Sequence, residues 1–185
     1  MKSMAGLEIY AYWDALRGNK PAPRREDFDP AKLKHHLGDL FILVDKGERT
    51  PFFRLAGTHL CDLFGRELRD SPFSDLWPAA SATFPCRVAR GILQHQLPVV
   101  FDIEAEDDHG AAPLAFEMLL LPLSSDNDTA PRLLGALLAE RPRHEFAAPI
   151  SCLVMKSSRL LRMDIAPTTY STNARTAVMP HAVTR

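Results

Sequence analysis

An α+β domain, with helices set against one antiparallel sheet of five strands, is the fold class this sequence predicts. Three observations lead there. Short apolar runs of strand character recur at 40–45, 51–56, 99–106, 114–123 and 133–139. Helical spacing is confined to the N-terminal stretch and to the stretch between the second and third runs. The loops joining the last three runs are short, which favours antiparallel neighbours, because a parallel crossover takes about a dozen residues or more.

Each element follows from local chemistry. Ile9, Trp13 and Leu16 recur at helical spacing, so 4–17 is a helix stopped by Gly18. A tryptophan stripe on an isolated helix is costly, so this helix must dock on something. The stretch 19–26, rich in proline and charge, is an irregular connection. Asp29-Pro30 starts a short helix, with Asp29 capping, Leu33 and Leu37 on one face, and Gly38 at the end. The runs 40–45 and 51–56 form a hairpin across the polar turn 46–49. Gly57-Thr58 breaks the second strand, and Thr58 caps a helix through Leu60, Leu63 and Phe64 to Gly65. Pro72 and Pro78 punctuate a loop, and a helix started or kinked by Pro85 runs towards Gln96. In the third run Phe101 and Ile103 share one face, with Asp102 and Glu104 on the other. A turn at Asp107-Asp108-His109-Gly110 and a polar loop at 124–131 join the last three strands, and Arg141-Pro142 ends the regular structure. The segment 150–185 opens as an extra strand or an amphipathic piece, and 166–185 reads as disordered. The expected divisions are thus an N-terminal helical segment 1–38, a sheet domain 39–142 and a C-terminal extension 143–185.

Composition narrows the function classes. The chain has 185 residues, 46% of them apolar, enough for one packed core. Its net charge of −1 carries no nucleic-acid footprint. Cys61, Cys86 and Cys152 are far apart and odd in number, which points to a reducing cytoplasm rather than a disulfide framework. No run reaches the roughly 18 apolar residues of a spanning helix, and no signal-peptide core is visible. His-x-x-x-His and Cys-x-x-Cys spacings, phosphate loops and Gly-x-Ser-x-Gly elbows are absent, so neither a metal site nor a catalytic residue is assigned.

One set of motifs goes further. Tyr12-Trp13-Asp14-Ala15-Leu16-Arg17-Gly18 is followed by Pro21-Ala22-Pro23-Arg24, then Asp27-Phe28-Asp29-Pro30, then Phe53-Arg54-Leu55-Ala56-Gly57-Thr58. This order resembles a family of bacterial single-domain PAS-like proteins found mostly in alphaproteobacteria, over about residues 7 to 142. The resemblance implies a PAS-like sheet, a role as a sensory or regulatory module in signal transduction without catalysis, and dimerisation through the helix before the sheet. The dimer anchors would be Ile9, Trp13 and Leu16. It implies a homodimer, a signalling protein partner and a small-molecule ligand as partners, and names no cofactor.

Candidate ligand residues are weighed against plainer roles. Arg54 alternates with Phe53 and Leu55. On a covered face it needs an acidic partner or an anionic ligand; on the open face it is ordinary surface charge. His59 lies on the short helix that often lines PAS pockets, and its plainer role is a partly exposed helix residue. Cys61 has apolar neighbours and reads first as packing. Trp77, Phe84, Phe101 and Phe116 are aromatic enough for a pocket wall, although aromatics fill cores in any case. The acidic run Glu104, Glu106, Asp107 and Asp108 reads as a solvated strand end. Two rival functions stand beside the sensory one. A small hydrolase- or isomerase-like enzyme with a cone-shaped cavity requires a buried polar dyad, such as His59 with Asp62 or Arg54 with an acid. A structural partner-binding domain requires only a filled core.

Overall fold

The computed structural model describes residues 1–106, 113–124, 130–140 and 149–161. The expected turn at 107–110, most of the polar loop after 124, the end at Arg141-Pro142 and the tail 166–185 lie outside the described residues.

Helix α1 spans Met4–Arg17, with the Ser3 side chain accepting from the Gly6 amide at 3.4 Å. Strands β1 (Leu40–Val44) and β2 (Phe52–Ala56) form the expected antiparallel hairpin. Helices α2 (Thr58–Phe64) and α3 (Thr83–His95) follow. Strands β3 (Val99–Glu106), β4 (Leu114–Leu123) and β5 (Arg132–Ala139) come next. The expected α+β architecture is therefore the observed one, with antiparallel pairing throughout.

The strand count is corrected from five to six among the described residues. Strand β6 (Cys152–Leu160) adds outside β3, so the order is β2-β1-β5-β4-β3-β6. Of the two sequence readings of this segment, the extra strand is the one observed. It covers the backbone groups that β3 would otherwise expose. Its Lys156-Ser157-Ser158-Arg159 stretch is polar on both faces, since this part of the edge strand is exposed on both, and that hides the strand signal.

Two further expectations change. The helix expected from Pro30 to Gly38 is replaced by two 3-10 turns, Pro30–Leu33 and Leu37–Asp39. Asp29 still caps, accepting from the Ala31 amide at 3.0 Å. Leu33 is buried but Leu37 is exposed, so they share no buried face. The reason is tertiary: the Leu37 and Gly38 carbonyls press on Gly57, and Gly38 lies against the His59 ring, where a side chain would clash. Thr58 is the first helical residue, while Gly57 holds the cap position without a side-chain bond.

The sheet is covered on both faces. On one, α2, α3 and the 3-10 turn Phe73–Leu76 pack onto Phe41, Phe101, Phe116, Met118 and Leu137. On the other, Ile9 and Trp13 of α1 pack onto Leu119, Leu121, Leu134 and Leu138. Strand alternation produces this division, since successive side chains of β4 and β5 point to opposite faces. Gly135 is required where it stands, because the Phe41 ring occupies the place of its side chain. Pro122 sits in β4 beyond Leu120, where the pairing with β3 has ended, so its missing amide breaks no β3 ladder bond.

Candidate functional site

The space between the sheet and its helices holds a chain of aromatic rings. Phe41 contacts Phe53 at 5.5 Å, Phe53 contacts Phe73 at 6.0 Å, Phe73 contacts Trp77 at 5.6 Å and Trp77 contacts Phe101 at 6.2 Å between ring centres. Most are tilted or edge-on, the arrangement that matches positive ring edges to negative faces. Of the sequence candidates, Trp77 and Phe101 thus meet directly. Phe116 is buried in the same core, opposite Ile103 across the strand pair. Phe84 is exposed, with the Arg87 guanidinium 5.5 Å from its ring centre.

Trp77 has a second feature. The residue is only 5% exposed, and its Nε1 is buried without a hydrogen-bond partner. The ring borders a cavity of about 300 Å³ between the first turn of α3 and β6, lined also by Thr83, Phe84, Pro85, Val154 and Met155.

Arg54, His59 and Cys61 do not line this cavity. Arg54 is exposed on edge strand β2, the open-face alternative of the sequence reading. The side chain of His59 is 43% exposed, with its Nδ1 3.1 Å from Asp39 Oδ1. Cys61 Sγ lies 3.6 Å from Glu67 Oε1. Burial pushes the Cys61 thiol up, and the Glu67 charge adds to this, so the sulfur stays protonated rather than nucleophilic. Cys86 is likewise pushed up by burial.

The other sheet face carries a polar cluster that sequence reasoning missed. Glu117 is 1% exposed, on β4. Its Oε1 accepts from the Lys2 amide and from Arg159 Nη2, each at 3.1 Å, and its Oε2 accepts from the Ser3 amide at 3.4 Å. A carboxylate at a helix N-terminus meets both free amides and the positive end of the helix dipole. Asp102 on β3 accepts from the Ser157 hydroxyl at 2.6 Å and pairs with Arg159 and with Lys2 Nζ. The Ser157 bond, helped by Lys2 and Arg159, holds the Asp102 carboxyl below its usual value against the opposing effect of burial. Lys2 Nζ also reaches Glu140 at 3.0 Å. One cluster therefore ties the start of α1 to β3, β4 and β6. The available signal was a single charge in the apolar run Leu-Ala-Phe-Glu-Met-Leu-Leu-Leu: a lone carboxylate in a two-sided strand must find partners if it is buried. Glu104 at the end of β3 pairs across the strands with Lys156 Nζ at 3.0 Å.

The proposed dimer anchors are placed as follows. Ile9 and Trp13 are fully buried against the sheet of their own chain, and Trp13 Nε1 donates to the Pro122 carbonyl at 2.8 Å. Leu16 is half-buried. The outward stripe of α1 consists instead of Met4, Leu7, Ala11 and Ala15, all exposed. Among the described residues, no helix is long and apolar enough to cross a membrane, and no three His, Cys, Asp or Glu side chains gather around a metal-sized space.

The sequence model of the family described as PAS domain matches residues 1–138, about three-quarters of the chain and inclusive of α1. No curated protein matches it.

Proposed function

The chain belongs to the PAS domain family, and from that premise we propose that it is a sensory or regulatory module, without catalysis, that acts by engaging a protein partner through α1. We place it in bacterial signal transduction in the cytoplasm, the setting that its motifs imply. PAS domains are in general sensory modules, and their flanking helices are common sites of dimerisation.

The observation that carries this reading is the division of α1 into two stripes. The inner stripe, Ile9 and Trp13, is used within the chain. The outer stripe leaves Met4 71% and Leu7 43% exposed on a helix whose start is bound to the sheet by charges. Adjacent apolar residues on a pinned helix suit a partner helix or a second copy of the chain. Light scattering after gel filtration tests this with the Leu7→Lys variant. The wild type is expected to self-associate and the variant to be monomeric at an unchanged melting temperature. A wild type that is monomeric at all concentrations removes the homodimer.

A second reading rests on Trp77. Its buried, unpaired Nε1 and the adjoining cavity suit a small molecule with one acceptor group. Native mass spectrometry of the purified protein tests it: a co-purifying mass lost in Trp77→Phe supports it, and a bare chain mass removes it.

A further inference from the structure

The outer side of α3 faces a second and larger opening. A cleft of about 620 Å³ lies between α3 and the loop that joins β1 to β2, within the range of roughly 300–1,000 Å³ typical of small-molecule sites. Thr83 and Arg87 border both this cleft and the Trp77 cavity, but the cleft adds Arg49 and Arg90. Arg87, Arg90, Gly91 and Gln94 recur at helical spacing on one side of α3, opposite the buried Ala89, Ile92 and Leu93. Arg49 from the hairpin loop and His95 also line the cleft.

The charges of this cleft are not balanced from within. Arg90 is partly compensated, its Nε lying 3.8 Å from Asp45 Oδ2. Among the described residues, Arg49 and Arg87 have no carboxylate partner. Among the described residues, two guanidiniums without a carboxylate partner therefore border one concave surface, Arg87 with its guanidinium 5.5 Å from the Phe84 ring centre. Each offers a planar fork of donors that matches the oxygens of a phosphate, and an anion between them relieves their mutual repulsion.

Gly91 supplies an independent observation. Glycine is among the poorest residues for a helix interior, yet a side chain built there meets no atom within 4 Å. No neighbour in the fold requires glycine at this position. What it leaves is open helix backbone on the wall of the arginine cleft, the kind of surface a ligand can approach closely.

We propose that this cleft binds a small molecule bearing a phosphate monoester. Arg49 and Arg87 match its charge of about −2 near neutral pH, and the body of the ligand lies against Gly91 and the half-buried Thr50. The site is on the helical side of the sheet, whereas α1 is on the other, so this proposal and the partner reading fail separately.

The test is a titration followed by amide NMR, with inorganic phosphate and adenosine 5′-monophosphate as probes at constant ionic strength. Both probes are expected to shift the Gly91 amide and the Arg49 and Arg87 side-chain signals. The double variant Arg49→Gln/Arg87→Gln, which changes two exposed side chains, is expected to keep its melting temperature and weaken both probes at least about tenfold. Gly91→Leu is expected to weaken the nucleotide and spare inorganic phosphate, because it fills the body of the cleft and keeps the arginines. Absence of shifts at the cleft, or unchanged affinity of both probes in the arginine double variant, overturns the proposal. So does a Gly91→Leu protein that binds the nucleotide as the wild type does.

Discussion

Both faces of the sheet are covered by apolar packing, but what supplements that packing differs. The helical face is held by interlocked rings, Phe41, Phe53, Phe73, Trp77 and Phe101, supplied by three strands and the turn before α3. The α1 face is an aliphatic core that Ile9 and Trp13 pack onto, and a cluster of charges around Glu117 adds directional contacts to it. Apolar packing is strong and has little direction, so it makes a stable unit. Hydrogen bonds to a buried charge are directional and register-setting, and they fail together once one partner is removed. The difference teaches that α1 is the covering element whose start is fixed by a few directional contacts to one buried carboxylate.

The largest effects test whether the faces are separable. Phe73→Ala and Trp13→Ala each remove a fully buried aromatic, and each is expected to cost about 3–5 kcal/mol in urea denaturation. Their patterns should differ under hydrogen exchange. Phe73→Ala should raise exchange throughout the domain, whereas Trp13→Ala should raise it in α1 first and leave α3 protected. Equal loss of protection in both helices for both variants would collapse the comparison into one cooperative core.

A smaller effect sharpens the role of the charges. Glu117→Gln keeps the shape and removes the charge shared by Lys2, Ser3 and Arg159, with an expected cost of about 1–3 kcal/mol. A double-mutant cycle with Arg159→Gln should return a coupling of about 0.5–3 kcal/mol, since the two groups touch. Zero coupling would mean that the pair is ordinary surface charge. The smallest effect is in pH. The Asp102 carboxyl is held below its usual value in the fold, so its contribution is complete above the ordinary aspartate value of about 3.9 and is lost as the pH falls towards the lowered value. Acid should therefore loosen β6 and the start of α1 below about pH 4. Asp102→Asn should flatten that part of the stability profile, and an unchanged acid limb would assign it to other carboxylates.

How far the sequence reaches depends on the kind of residue. Strands β3 and β4 begin and end where their apolar runs do, and α1 ends at Gly18, because period, cap and breaker are all local. Strand β6 was one of two open readings, since this part of the edge strand is exposed on both faces and its alternation dissolves into Lys156-Ser157-Ser158-Arg159. Trp77 and Phe101 were legible as aromatics, but their contact joins residues far apart in the chain and needs the fold. Glu117 left a signal, one carboxylate in an apolar strand, yet its partners come from the first residues of the chain and from β6.

By itself, then, the sequence determined the α+β class, the order of the elements and the need for α1 to dock, since periodicity and capping act within a few residues. The tertiary structure alone decided that Ile9 and Trp13 face inwards, that Pro30 to Gly38 forms turns and not a helix, and that Glu117 lies beneath the start of α1. It also decided that Arg49 joins Arg87 and Arg90 around one cleft. Those outcomes depend on which surfaces meet, and burial, close contact and charge pairing across the sheet are properties of the meeting and not of either partner.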